Sequence, residues 1–272
     1  MKRYILSILL VGMVAVSGCS GAAHVPMSEM EHKGMSSMQG KVTPTNADWT
    51  TPKEIKPNEE FPISILIKDK KGKAISKFDL VHEKLMHMII VSKDLSYFSH
   101  IHPQYKGNGE FDITTSLPAA GDYDIITEFT PKGAEDNSVQ RHRIHVKGDA
   151  PAAVPIEPDK HMTKVIDGKK ITLSFDHIMA CMDLDMKFTI RDAKTNKPIK
   201  NLEPYMGAMG HAVAISNDLK EYLHIHPMTT NEKGPSVTFM TYFPKKGVYK
   251  IWGQFKYEGK IIVAPFVVKV DV

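Results

Sequence analysis

The chain predicts an all-β protein, two tandem immunoglobulin-like or cupredoxin-like β-sandwich domains behind a disordered tether. Three observations carry that prediction. From about Asp48 the sequence is a series of short strand-like runs, among them "FPISILIK", "MHMIIVS", "FDITTSL", "DYDIITEF" and "RHRIHVK", punctuated by Gly, Asp and Asn turn signals. No amphipathic stretch of helical length interrupts them, which argues for antiparallel sandwiches or barrels over a parallel α/β sheet. The region also repeats. An offset of 124 lays Ser92-Lys93-Asp94-Leu95 on Ser216-Asn217-Asp218-Leu219, and His100-Ile101-His102-Pro103 on His224-Ile225-His226-Pro227. After a two-residue insertion, "AGDYDIITEF" meets "KGVYKIWGQF". A period this long marks a duplicated domain, not a solenoid unit.

The 272 residues, 42% of them apolar, suffice for real cores and exclude a disordered chain. Net charge is +4, but Lys and Arg are interspersed with Asp and Glu, so no basic stripe points to nucleic acid. At the N-terminus, Lys2 and Arg3 precede an apolar stretch, Tyr4 to Val16, too short to span a bilayer comfortably. Residues 1–18 read as a removable signal peptide. The segment ends in Val16-Ser17-Gly18-Cys19, which resembles the bacterial lipobox. That resemblance implies lipidation of Cys19, palmitate included, and a protein held on the extracytoplasmic side of the cell membrane, where stable anchoring takes more than one acyl chain.

Residues 19–47 are small and polar and lack hydrophobic periodicity, as a flexible tether requires. They also carry His24, Met27, Met30, His32, Met35 and Met38, a density of thioethers that linker composition leaves unexplained and that soft-metal capture explains. The first sandwich is placed at 48–148 and the second at 163–272, with the Pro- and Ala-rich 149–162 between them as linker.

The repeated histidines lie on a hairpin. In the second copy "GHAVAIS" and "EYLHIHP" flank the polar turn "NDLK". Side chains alternate along a strand, so His224 and His226 share a face. If the register opposes His211 to either of them, three imidazoles gather at the open end of the hairpin; a slip of one residue sends His211 to the other side. The first copy offers His87, His100 and His102 in the same way. The two independent hairpins thus offer three-histidine clusters at the sandwich ends, and the sequence leaves open whether the two copies face each other. Met206, Met209 and Met228 lie near the second, and His82 and Met86 near the first, position 82 aligning with 206. Imidazole with thioether suits copper, as Cu(I) or Cu(II), while histidines alone would favour zinc. The competing reading is structural, because His211 is in phase with Val213 and Ile215, and His224 with Tyr222. A further group, His177, Met179 and Cys181, with Met182, Leu184, Met186, Phe188 and Ile190 in the opposite phase, reads mainly as packing.

Enzyme signatures are wanting: the chain has no G-x-S-x-G elbow and no HExxH helix, and the carboxylate after His224, Glu232, is poorly spaced for a cupin. "LEPYMGAMGHAVAISNDLKEYLHIHP", with "FPKKGVYKIWGQFKYEGKIIVAPFVVKV", resembles secreted bacterial β-sandwich proteins bearing a GH and YxHxHP signature, broadly of the FixH and YtkA-like group, some of them in copper or heavy-metal settings. The resemblance implies fold and compartment, and singles out His211, His224 and His226. It is weaker for the first copy, whose "LVHEKLMHMIIVS" lacks the glycines. The expected function is non-enzymatic: an extracytoplasmic lipoprotein that sequesters copper or delivers it to a partner protein. A metal-free envelope interaction module with structural histidines is the first alternative, and a small metalloenzyme the second.

Overall fold

The computed structural model describes residues 43–228 and 232–272; the expected signal peptide, the expected lipidation at Cys19 and the expected metal-capture positions His24, Met27, Met30, His32, Met35 and Met38 lie outside them. The described residues form strands and turns and no helix. The first repeat holds β1 (Thr45–Thr50), β2 (Phe61–Asp69), β3 (Phe78–Asp79), β4 (His87–Ser92), β5 (Phe98–Ile101), β6 (Gln104–Gly107), β7 (Glu110–Thr115), β8 (Gly121–Pro131) and β9 (Ser138–Val146). The second holds β10 (Thr163–Ile166), β11 (Lys169–Phe175), β12 (Asp183–Asp192), β13 (His211–Ser216), β14 (Tyr222–Ile225), β15 (Ser236–Tyr242), β16 (Gly247–Tyr257) and β17 (Lys260–Val270). The first described strand begins at Thr45, ahead of Asp48, where the sequence reading starts the sandwich.

Each repeat is a two-sheet antiparallel sandwich. In the first, β1-β2-β7-β6 faces β5-β4-β8, with β3 and β9 paired to β8; in the second, β10-β11-β12-β15 faces β14-β13-β16-β17. Alternation builds each interior. Ile63, Ile65 and Ile67 of β2 meet Met88 and Ile90 of β4 in the first core, and Met186, Phe188 and Ile190 of β12 meet Ala212 and Ala214 of β13 in the second.

Strands β4 and β13 are apolar on both faces, and the outward phase is buried too. Ile89, Val91, Leu95 and Ile126 of the first repeat join Val213, Ile215, Leu219 and Trp252 of the second in a third apolar cluster. Phe98 stacks on Trp252 with centroids 4.6 Å apart. The residues correspond pairwise, Ile89 to Val213, Val91 to Ile215, Leu95 to Leu219 and Ile126 to Trp252, so the repeats pack with pseudo-twofold symmetry. Lys250 Nζ donates to Leu95 O (2.7 Å), and the Arg141 guanidinium donates to Leu219 O. The linker lies against this interface: Ile156 packs on the shared cluster and Val154 N donates to the Asp94 carboxylate at 2.9 Å.

Candidate metal centre

The hairpin registers decide where the histidines point. In β13–β14 Val213 opposes His224, and in β4–β5 Ile89 opposes His100, which sets His211 across from His226 and His87 across from His102. In each repeat the three rings therefore share a face, and it is the face of Ile89 and Val91, or of Val213 and Ile215. That face covers the other repeat. The structure supplies the orientation of the two copies: burying both outward faces against each other brings the two triplets into one group. His87 and His224 lie 4.8 Å apart between ring centroids, His100 and His224 5.3 Å, and His224 and His226 4.5 Å.

His82 is the seventh member, stacked on His226 with centroids 3.6 Å apart. It sits at φ 47° in a tight loop, and its counterpart Met206 at φ 50° in the equivalent loop. Left-handed backbone at two non-glycine residues is uncommon, and its repetition marks a conserved local design of the duplicated unit. Two of the sulfur donors go elsewhere: Met86 and Met209 are buried in the two apolar cores. Met206 is buried at the position equivalent to His82, and Met228 is 57% exposed. The ring contacts that gather the centre are all between imidazoles. In the third sequence group Met186 is core, whereas Met182 precedes β12 and is exposed.

Four of the rings are oriented by a specific acceptor. His87 Nε2 donates to Val81 O (3.0 Å) and His211 Nε2 to Tyr205 O (2.9 Å), the same bond at equivalent positions. The HxH histidines are held across the interface: His224 Nδ1 donates to Glu128 Oε2 at 3.2 Å, and His100 Nδ1 to Gln254 Oε1 at 2.8 Å. Each repeat thus orients the leading HxH histidine of its partner. Glu128 and Gln254 escaped the sequence reading, although they stand at equivalent places before the phenylalanine in "TEF" and "GQF". Tyr222 Oη at 3.1 Å and Asn137 Nδ2 also donate to Glu128. Three donors converge on a carboxylate that accepts from all of them when ionised.

On His211 and His224 these bonds leave the opposite ring nitrogen bare. His102 Nε2, His211 Nδ1, His224 Nε2 and His226 Nε2 are buried without a hydrogen-bond partner. His87 Nδ1 and His100 Nε2 face each other at 3.1 Å. With Val81 O and Gln254 Oε1 taking the protons of the other nitrogens, both of these carry lone pairs. Such a pair repels unless a cation lies against it. Burial holds the rings neutral: His211 is lowered to about 4 and His102 to about 3, and His100, His224 and His226 also fall well below the usual imidazole range. Burial raises Glu128, offset first by its bond from Tyr222. Among the described residues no Lys or Arg is paired with this buried carboxyl group, whose ion-pair contact is with His224.

Two triads place ligand atoms within 4.8 Å of one another, His87-His100-His224 and His211-His224-His226. Small ring rotations bring such nitrogens to the roughly 2.0 Å at which imidazole binds a first-row metal. Both triads among the described residues consist of imidazoles, whereas calcium and magnesium take oxygen ligands.

A family model described as "Domain of unknown function (DUF8832)" matches the chain twice, over residues 41–148 and 163–272. The chain belongs to the DUF8832 family. The two DUF8832 copies coincide with the two sandwiches. No curated protein matches this chain. Among solved structures it is similar to the Escherichia coli adhesin FdeC, at TM-score 0.27 and 15% identity, covering 84% of this chain and 64% of that one. Invasin, a bacterial integrin-binding protein, gives 0.26 and 12%, with coverages of 83% and 39%. The Yersinia pseudotuberculosis adhesin InvE gives 0.27 and 9%, with 83% and 59%. The chain spans less than two thirds of the length of each, and at TM-scores this low the likeness carries no argument.

Proposed function

We propose that this DUF8832 protein binds a first-row transition-metal ion, copper above the others, in the histidine centre between its repeats, and holds it for sequestration or delivery to a partner protein outside the cytoplasm. The observation that carries the reading is the set of buried ring nitrogens without partners, His102 Nε2, His211 Nδ1, His224 Nε2 and His226 Nε2, gathered in one group; the other nitrogen is tied to a carbonyl on His211 and to a carboxylate on His224. Structural histidines satisfy both nitrogens where burial denies them water. Metal-binding histidines satisfy one and keep the other for the ion. Imidazoles alone would favour zinc; the thioethers of Met27, Met30, Met35 and Met38 move the choice to copper. In the same proposal Cys19 carries the lipid that keeps the protein at the membrane surface.

Anaerobic titration of the full chain with Cu(I), and separately with Cu(II) and Zn(II), against a competing chelator tests the metal. Copper is expected to bind most tightly, and the double variant H224A/H226A to lose that binding while staying folded. Equal binding by the double variant would overturn the site, and tighter Zn(II) than copper binding would overturn the metal. Mass spectrometry of membrane-extracted protein tests the anchor: acylated Cys19 is expected, and Cys19 found in disulfide linkage to Cys181 would exclude it.

A further inference from the structure

The two triads share one residue, His224. Its Nδ1 is committed to Glu128, so a single nitrogen, Nε2, is left to ligate, and a single lone pair serves one ion at a time. His87-His100-His224 and His211-His224-His226 therefore cannot both be filled. The triads also differ in kind. The first takes two rings from β4–β5 and one from β14, so an ion there ties the repeats together. The second lies wholly on the β13–β14 hairpin and its immediate extension, and belongs to the second repeat alone.

We propose, building on the metal reading above, that the centre holds one exchangeable ion that pivots on His224 between an inter-repeat triad and a second-repeat triad. In the exchange the bonds to His87 and His100 break and bonds to His211 and His226 form, while the His224 bond persists and the oxidation state is unchanged. The pseudo-symmetry of the repeats is broken at the residue that makes this possible: a carboxylate backs His224, whereas the amide of Gln254 backs His100. An ionised partner makes the imidazole a stronger donor than an amide does, so His224 is the ligand the ion keeps. Glu128 is a positioning residue in this scheme. His82, stacked on His226, lies on the side of the second triad.

The test is stoichiometry by difference on the full chain with Cu(I), which cancels whatever the Met-rich segment binds. H224A is expected to lose one equivalent. The double variants H87A/H100A and H211A/H226A are each expected to keep that equivalent, with affinity lowered roughly tenfold. Thermal melts show which variants are folded, and histidine ¹⁵N spectra of the unaltered chain supply a reading that needs no substitution. At one equivalent of Cu(I), His224 Nε2 should be fully shifted, and the two flanking pairs shifted in part and in exchange. Two equivalents bound by the histidines of the unaltered chain, or loss of the equivalent in only one folded double variant, would overturn the pivot and leave the metal site standing. No Cu(I)-dependent histidine shift at all would overturn the metal reading and the pivot together.

Discussion

At the scale of single residues, the centre depends on which proton each ring carries. A backbone carbonyl accepts and never donates, so Val81 O and Tyr205 O fix the tautomers of His87 and His211. Glu128 does the same for His224 and adds a charge. The substitution E128Q keeps the shape and removes that charge. It is expected to weaken Cu(I) binding about 10- to 100-fold in chelator competition, the usual cost of losing an outer carboxylate, with the melting temperature little changed. Unchanged affinity would show that Glu128 is structural. The neutral rings also make stability depend on pH. His211 titrates at about 4 in the fold against 6.5 unfolded, and His102 at about 3. Below pH 6.5 the unfolded chain takes up protons that the folded chain refuses. Stability is therefore complete above pH 6.5 and is lost as pH falls toward about 4, at up to about 1.4 kcal/mol per pH unit for the fully buried His211. A metal-free chain whose melting temperature is flat from pH 7 to 4.5 would contradict this.

At the scale of elements, β13 begins with the Gly210-His211 pair, and the glycine there serves close packing. A Cβ at Gly210 would lie 2.9 Å from the Phe255 ring. Phe255 follows Gln254 on β16, the strand that orients His100, so the glycine lets β13 approach the strand that carries part of the centre. Met86 stands at the equivalent place in the first repeat and is buried in its core. G210A is expected to cost about 1–3 kcal/mol in chemical denaturation, as an overpacked site does, whereas M86L should cost less than about 1.5 kcal/mol. Equal small effects would remove the packing account of the glycine in the GH signature.

At the scale of the whole molecule, the apolar cluster between the repeats and the histidine centre are one construction. The shared face that buries Val213 and Ile215 also carries His211, His224 and His226. Expressed alone, residues 163–272 would expose Val213, Ile215, Leu219 and Trp252 together, a contiguous apolar patch of the kind that drives association. Sedimentation of the isolated second repeat is expected to show self-association, and its Cu(I) affinity should be below that of the full chain because Glu128 is missing. A monomer with full affinity would mean that the second sandwich builds the centre without its partner.

Much of this was legible in the sequence, because the signals involved are local. Period-two alternation marks the strands, turn residues mark their ends, and the offset of 124 between the HIHP motifs marks the duplication. The hairpin geometry even made the common face of each histidine triplet a condition on register. What local signals omit is which outward faces cover one another, since that choice is made by contacts far apart in the chain. The continuous apolar runs in β4 and β13 were visible, but the sequence alone did not say that each faced the other repeat. Tertiary packing decided that the two histidine clusters meet in one group, that Glu128 and Gln254 orient the partner repeat's histidines, and that Met86 and Met209 fill cores. The physical reason is that burial of the second face of β4 and β13 is available only when the two sandwiches meet, and the histidines ride on that face.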